Sequence, residues 1–230
     1  MESRRRSGFH HGDLRNALER AALDLVGERG AHGFTLAEAS RRAGVSVAAP
    51  FKHFASREAL LAALAVRGYQ EQERRFSAAV SSQEEPAQQL AEFAAAYVRF
   101  TVDERALFEI TFGAGIDKSA YPELEEAGSR VLKVLAEAAG ALRGDEDEAI
   151  ALIYAVGAAA HGYAAFLHEG VFGKQAESVR RAERGAREAA LVLAERLPLR
   201  RGETESARSS RPLSTEQCGA TRNTPTSEES

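Results

Sequence analysis

Residues 35–61, TLAEASRRAGVSVAAPFKHFASREALL, decide how the chain is read. Thr35-Leu36-Ala37-Glu38 has the form of a capping box: the Thr35 hydroxyl is placed to accept from the amide of Glu38, and the Glu38 carboxylate from the amide of Thr35. That opens a helix running through Ser40, Arg41 and Arg42. Gly44 closes it, because glycine enters the left-handed region without strain. Val45 follows as an apolar plug, and Ser46 is placed to cap a second helix, Val47 to Phe54. Ser56 caps a third, which begins Arg57-Glu58-Ala59-Leu60-Leu61. Two turns of helix do not hold themselves together in water. A short helix flanked by caps and a glycine turn exists to present a surface. That is the logic of a helix-turn-helix, whose second helix enters the major groove of DNA.

Upstream, Leu14, Leu18, Ala21, Leu25 and Val26 recur at helical spacing and predict a helix from Asp13 to Arg29, ended by Gly30. It buttresses the short helix together with Phe34, Ala39, Val45 and Phe54. His10 and His11 are adjacent, so on a helix they do not face one another as a metal pair would. Arg4, Arg5 and Arg6 form a basic arm over residues 1–10. Two readings of it stand: solvated charge, or an arm lying on phosphates or in a minor groove.

The block from His10 to Leu64 resembles the DNA-binding domain of the TetR family of bacterial transcriptional regulators. The matching residues are HHGDLRNALERAALDLVGERGAHGFTL and AEASRRAGVSVAAPFKHFASREALLAALA. They include a Gly-Val-Ser turn, the ending Lys52-His53-Phe54 and the restart Ser56-Arg57-Glu58-Ala59-Leu60. The resemblance implies an all-α fold: an N-terminal three-helix helix-turn-helix domain, then a C-terminal helical domain for ligand binding and dimerisation. It divides the chain into an arm (1–10), the DNA-binding domain (11–55), a connecting helix (56–80) and an effector-binding and dimerisation domain (86–197); the composition of the remainder, rich in Ser, Thr, Arg, Glu and Pro, predicts a disordered tail (198–230).

Each residue of the reading helix has its own chemistry. Ala48 and Ala49 are small enough to bring backbone close to base edges and to touch thymine methyl groups. Lys52 suits a guanine edge or a phosphate, and His53 suits a phosphate oxygen. Thr35 and Ser46 stand at helix N-termini, where backbone amides favour phosphate. Arg57 stands where the family usually carries a phosphate-holding lysine. Phe51 stands where the family often has tyrosine. It lacks the hydroxyl, and packing on a sugar or a thymine methyl remains to it. Pro50 lies inside the expected helix and predicts a kink.

The body reads as helices near 86–103, 104–113, 122–143, 146–169 and 175–197, with a break over GAGIDKSAYPE, residues 113–123. His161-Gly162 and FGAGIDKSAYPEL resemble a TetR subgroup with a tryptophan-His-Gly signature, although the chain has no tryptophan. Aromatic residues gather here. Plain core is one reading of them. The resemblance implies another, an effector pocket among Phe93, Tyr97, Phe108, Phe112, Tyr154, His161 and Tyr163. Gly157, Ala160, Ala164, Ala182, Ala186, Ala189 and Ala190 line helix faces that allow close approach, and the resemblance implies a four-helix dimer interface there. The acidic run Asp145 to Glu148 is a helix start rather than a metal site.

The net charge of −4 divides unevenly: residues 1–67 carry +4 and the remainder −8. A basic head on an acidic body fits a DNA binder. The single cysteine, Cys218, excludes an intramolecular disulfide and a cysteine zinc cluster. No membrane span or secretory signal is expected, and a reducing cytoplasm is the expected location. No nucleophile-base-acid set, metal-ligand spacing or phosphate loop points to an enzyme or a cofactor. An interaction module without DNA affinity leaves the basic, capped segment unexplained. The expected function is a dimeric repressor that binds a pseudo-palindromic operator and is released by a small-molecule effector.

Overall fold

The computed structural model describes residues 11–173 and 177–196. The expected arm (1–10) and tail (198–230) lie outside the described residues. Among those described there are α-helices and two 3-10 turns, with no strand. The helices are α1 (His11–Arg29), α2 (Leu36–Arg42), α3 (Arg57–Val80), α4 (Pro86–Asp103), α5 (Arg105–Gly113), α6 (Pro122–Lys133), α7 (Ala136–Leu142), α8 (Glu146–His168) and α9 (Glu177–Arg196).

Local chemistry sets most of the boundaries. The Glu38 amide donates to Thr35 Oγ1 at 3.2 Å, and the Thr35 amide to Glu38 Oε2 at 2.9 Å, so the capping box is complete. Ser56 Oγ accepts from the Ala59 amide at 3.1 Å and starts α3. The Asp145 carboxylate accepts from the amides of Asp147 and Glu148 and starts α8. Gly30 and Gly44 end α1 and α2 with φ of 80° and 72°, where a Cβ would be strained.

Two boundaries differ from expectation. No α-helix forms over Val47–Phe54; a turn leads into a 3-10 segment, Pro50–Lys52. Proline has no N–H to send back to the Ser46 carbonyl. The Ala49 amide takes that carbonyl instead at 3.0 Å, and the His53 amide bonds to Pro50 O at 2.8 Å, a tighter winding. Ser46 is therefore not the expected side-chain cap, because the segment begins at Ala49 with no side-chain cap bond. The expected helix 122–143 is broken between α6 and α7. There Val134 and Leu135 bond three residues back, and Leu135 turns into the core.

One continuous apolar core runs from the head into the body. In the head it holds Leu18, Leu25, Val26, Phe34, Ala39, Phe54, Leu60 and Leu64. Burying side chains of this size stabilises by about 1.5–3 kcal/mol each. That is how a seven-residue α2 persists, with Leu36 and Ala39 buried beneath it. In the body Phe76 of α3 is the centre. Its ring lies 4.9 Å from Phe93, 5.8 Å from Tyr97 and 6.1 Å from Phe100.

The small-residue stripe is used inside the chain. Ala160, Ala164, Ala182, Ala186 and Ala190 are fully buried where α8, α9 and α4 pack together. These five alanines are therefore taken up within the chain, while Gly157 and Ala189 of the same stripe are half-buried. Residues 149–167 carry no Asp, Glu, Lys or Arg, so α8 is long and apolar enough by composition to cross a membrane, contrary to expectation. Only 28% of its apolar stretch is buried within the chain.

Candidate nucleic-acid interface and ligand cavity

Between α2 and α3 the head presents an exposed segment. Pro50 and Phe54 are buried and pin it to the core, while Ser46, Val47, Ala48, Phe51 and Lys52 face solvent. Phe51 is 62% exposed, an aromatic ring with no packing in the chain to account for it. Ala49 and His53 are half-buried at the base of the segment. The sequence reading passed over Val47, which stands out as Phe51 does. Its signal was an apolar residue at a position the short helix could not bury.

Two expected DNA contacts are already engaged elsewhere. Thr35 is exposed, but its hydroxyl accepts from the Glu38 amide and donates to Glu38 Oε2. Arg57 turns inward: Nη2 donates to the Ala31 carbonyl, and the guanidinium sits 5.1 Å from the centre of the Phe34 ring. Two ion pairs stand beside the segment, Arg42 with Glu28 at 2.6 Å and Arg29 with Glu38 at 2.9 Å. The Arg42 guanidinium bonded to Glu28 holds that carboxyl below its usual pKa.

Between α3, α4, α6 and α8 the body has a cavity of about 760 Å³ that is open to solvent. Of the expected pocket residues, Phe93, Tyr97, Phe112, Tyr154 and His161 line it. Phe108 lies one step away, bordering a smaller cavity of about 330 Å³ that shares Phe112 and His161 with the first. Tyr163 is apart from both. Its ring stacks on Phe172 with centroids 6.1 Å apart and crowds Gly185 of α9.

His161 is the polar hinge between the two spaces. Its Nδ1 is 2.9 Å from the Tyr97 hydroxyl, and its ring lies 5.3 Å from Phe112 and 5.7 Å from Phe108. Burial, with Tyr69 nearby, pushes the Tyr97 phenol pKa well up, so it stays protonated. The lining residues that escaped the sequence reading include Tyr69 and Gln72 of α3, and Lys118 of the turn after α5. Gln72 left a trace there, since it is a polar residue falling on the apolar stripe of α3.

Helix α5 joins the cavities to the head. Phe108 and Phe112, which border the cavities, both stand on it. On the same helix, Glu109 Oε1 accepts from the Ala31 amide at 2.7 Å, and the carbonyl of Gly113 is 3.2 Å from His32 Nε2. Ala31 is thus held from both sides, by Glu109 at its N–H and by Arg57 at its carbonyl.

Comparison with known proteins gives two family matches. Residues 19–64 match the bacterial regulatory proteins of the tetR family, and residues 90–189 match the tetracyclin repressor-like C-terminal domain. Among solved structures, a protein of unknown function from Rhodococcus sp. RHA1 is 29% identical, with a TM-score of 0.67 over 80% of this chain and 97% of that one. A tetR-family regulatory protein from Rhodococcus RHA1 is 19% identical, with a TM-score of 0.63 over 79% and 96%. The TetR family transcriptional regulator PfmR from Thermus thermophilus is 18% identical, with a TM-score of 0.59 over 77% and 96%. No curated protein sequence matches.

Proposed function

The chain belongs to the TetR family of DNA-binding transcriptional regulators, and from that premise we propose that it is a repressor released from its operator by a small molecule. The observation that carries the reading is the exposed segment Ser46–Lys52, anchored by buried Pro50 and Phe54. Ala48 and Ala49 let it approach the major groove, Lys52 reaches a guanine edge or a phosphate, and Phe51 packs on a sugar or a thymine methyl. His53 and the backbone near Ser46 and Thr35 take phosphates. Arg57 acts indirectly, holding the loop at Ala31 that sets the angle of α2.

The active form is a homodimer. Ile150 and Phe166 exposed on the apolar α8, with Val192 exposed on α9, call for a second protomer. Two reading segments then meet successive major grooves roughly 34 Å apart, which matches a pseudo-palindromic site. A ligand against Phe112 and His161 displaces α5, and α5 carries Glu109 to Ala31 of the head. A coupling of about 1–3 kcal/mol between ligand and operator suffices for a several-fold to hundred-fold release. The chain works in the cytoplasm as a regulator, without catalysis.

The test is selection of bound duplexes from random DNA, followed by titration with salt. Recovery of a two-fold symmetric site, with affinity falling steeply as salt rises, is the expected result. Failure to enrich any duplex at low ionic strength overturns the reading.

A further inference from the structure

Gln72 is the misfit on the buried face of α3. Leu61, Leu64, Ala65, Gly68, Tyr69 and Phe76 form that face at helical spacing, and Gln72 falls in the same register at 1% exposure. Its amide nitrogen is buried and makes no hydrogen bond. Buried donors are almost always paired, because leaving one without an acceptor forfeits its bond to water. Gln72 borders the 760 Å³ cavity, and rotation of its amide group about the last side-chain torsion brings the enclosed nitrogen to that space.

Two further donors stand on the same wall. Tyr69 lies three residues before Gln72, on the same face of the helix. Its hydroxyl accepts from Lys118 Nζ at 3.4 Å, which leaves the phenol proton to donate. Lys118 also lines the cavity and brings a full positive charge. The remaining walls include Phe93, Leu124, Val131 and Ile153, which are apolar. Glu125 at the exposed rim opposes any anion, and a dianion about twice as strongly as a monoanion.

We propose that the cavity takes a monocarboxylate with an apolar body, its carboxylate accepting from the Gln72 amide with Tyr69 and Lys118 as the other donors. This rests on the effector reading of the cavity given above. The single positive charge selects a carboxylate over a neutral carbonyl, since charge-assisted hydrogen bonds are roughly twice as strong as neutral ones. A phosphate dianion would remain half-compensated beside Lys118 and would meet Glu125.

The test uses the full chain and two acid–alcohol pairs of equal body: dodecanoate with 1-dodecanol, and 4-phenylbutanoate with 4-phenylbutanol, all below micellar concentrations. Calorimetric titration is expected to give, in at least one pair, an acid about tenfold tighter than its alcohol. Gln72→Leu and Lys118→Met are each expected to remove most of that preference while leaving the alcohol's affinity within about threefold. Gln72→Leu deletes an unsatisfied donor, so its melting temperature should not fall, and Lys118→Met lies at the surface and leaves the fold intact. Alcohols binding as tightly as acids in both pairs, or a preference that survives both variants, overturns the proposal. If the alcohols bind and lift the protein from its operator, the effector reading stands and the carboxylate assignment falls. If neither acids nor alcohols bind, both fall.

Discussion

Replacing Glu109 with alanine removes the bond by which α5 holds the head. Glu109 Oε1 is 2.7 Å from the amide of Ala31, a residue only 2% exposed, so water does not replace the lost acceptor. A hydrogen bond to a charged group contributes about 1.5–3 kcal/mol net. For a chain of this size each kcal/mol shifts the melting temperature by about 2–4 °C, so Glu109→Ala should melt about 3–12 °C lower. Glu109→Gln keeps an oxygen acceptor without the charge and should lose roughly half as much. If the bond also sets the head's angle, the same energy weakens operator binding by roughly ten- to hundredfold. Gly30→Ala should act in the same direction. Its φ of 80° strains any L side chain, and the new Cβ would stand 2.9 Å from Glu109 Oε1. Thermal unfolding and fluorescence anisotropy on a selected operator read the two effects separately. An unchanged melting temperature in Glu109→Ala refutes the latch. A lower one with unchanged operator affinity shows that the bond stabilises the head without orienting it.

Lys52→Ala should weaken specific binding by about 1–3 kcal/mol and relax preference at one base position; a uniform loss across sequences, with a shallower salt slope, would place Lys52 on a phosphate instead. Glu71, bonded to Arg74 and Arg75, has its pKa drawn down from 4.5 to about 2. The folded state therefore gains stability above the unfolded pKa and loses it as pH falls from about 5 toward 2. Since Arg74 is two-thirds exposed, solvent screening reduces the gain to on the order of 1–2 kcal/mol. Glu71→Gln should be that much less stable at pH 7 and converge with the parent near pH 2 in urea titrations; an unchanged pH profile would remove Glu71 from acid sensitivity. Ile150→Arg and Val192→Arg should each shift sedimentation toward the mass of one chain, 24.8 kDa. A persisting dimer in both would move the interface off α8 and α9.

Helix ends and the family were legible because their causes are local. Thr35 with Glu38, Ser56 with Ala59, Asp145 with Glu148 and Pro86 at the start of α4 act within a few residues, where spacing along the chain equals spacing in space. Pro50 announced a disturbance for the same reason, since its missing N–H is a covalent fact. The form of the disturbance was not legible. A 3-10 turn results because Pro50 and Phe54 are both buried in the head, and that burial depends on α1 and α3.

Side-chain direction escaped the linear reading wherever a competing partner lay far along the chain. Arg57 was expected on a phosphate, and Ala31 with Phe34, folded beneath it, took the guanidinium. The alanine stripe promised close helix approach without naming the helices, and α4 arrived to fill it from within the chain. Tyr97 met His161 across 64 residues, while Tyr163, two residues on, faced α9. Periodicity assigns a residue to a face of its helix; which neighbour covers that face depends on the packing of every helix at once. Caps, turns and apolar stripes therefore follow from order along the chain. The cavity, its unpaired amide at Gln72 and the α5 strut exist only once distant helices close around them.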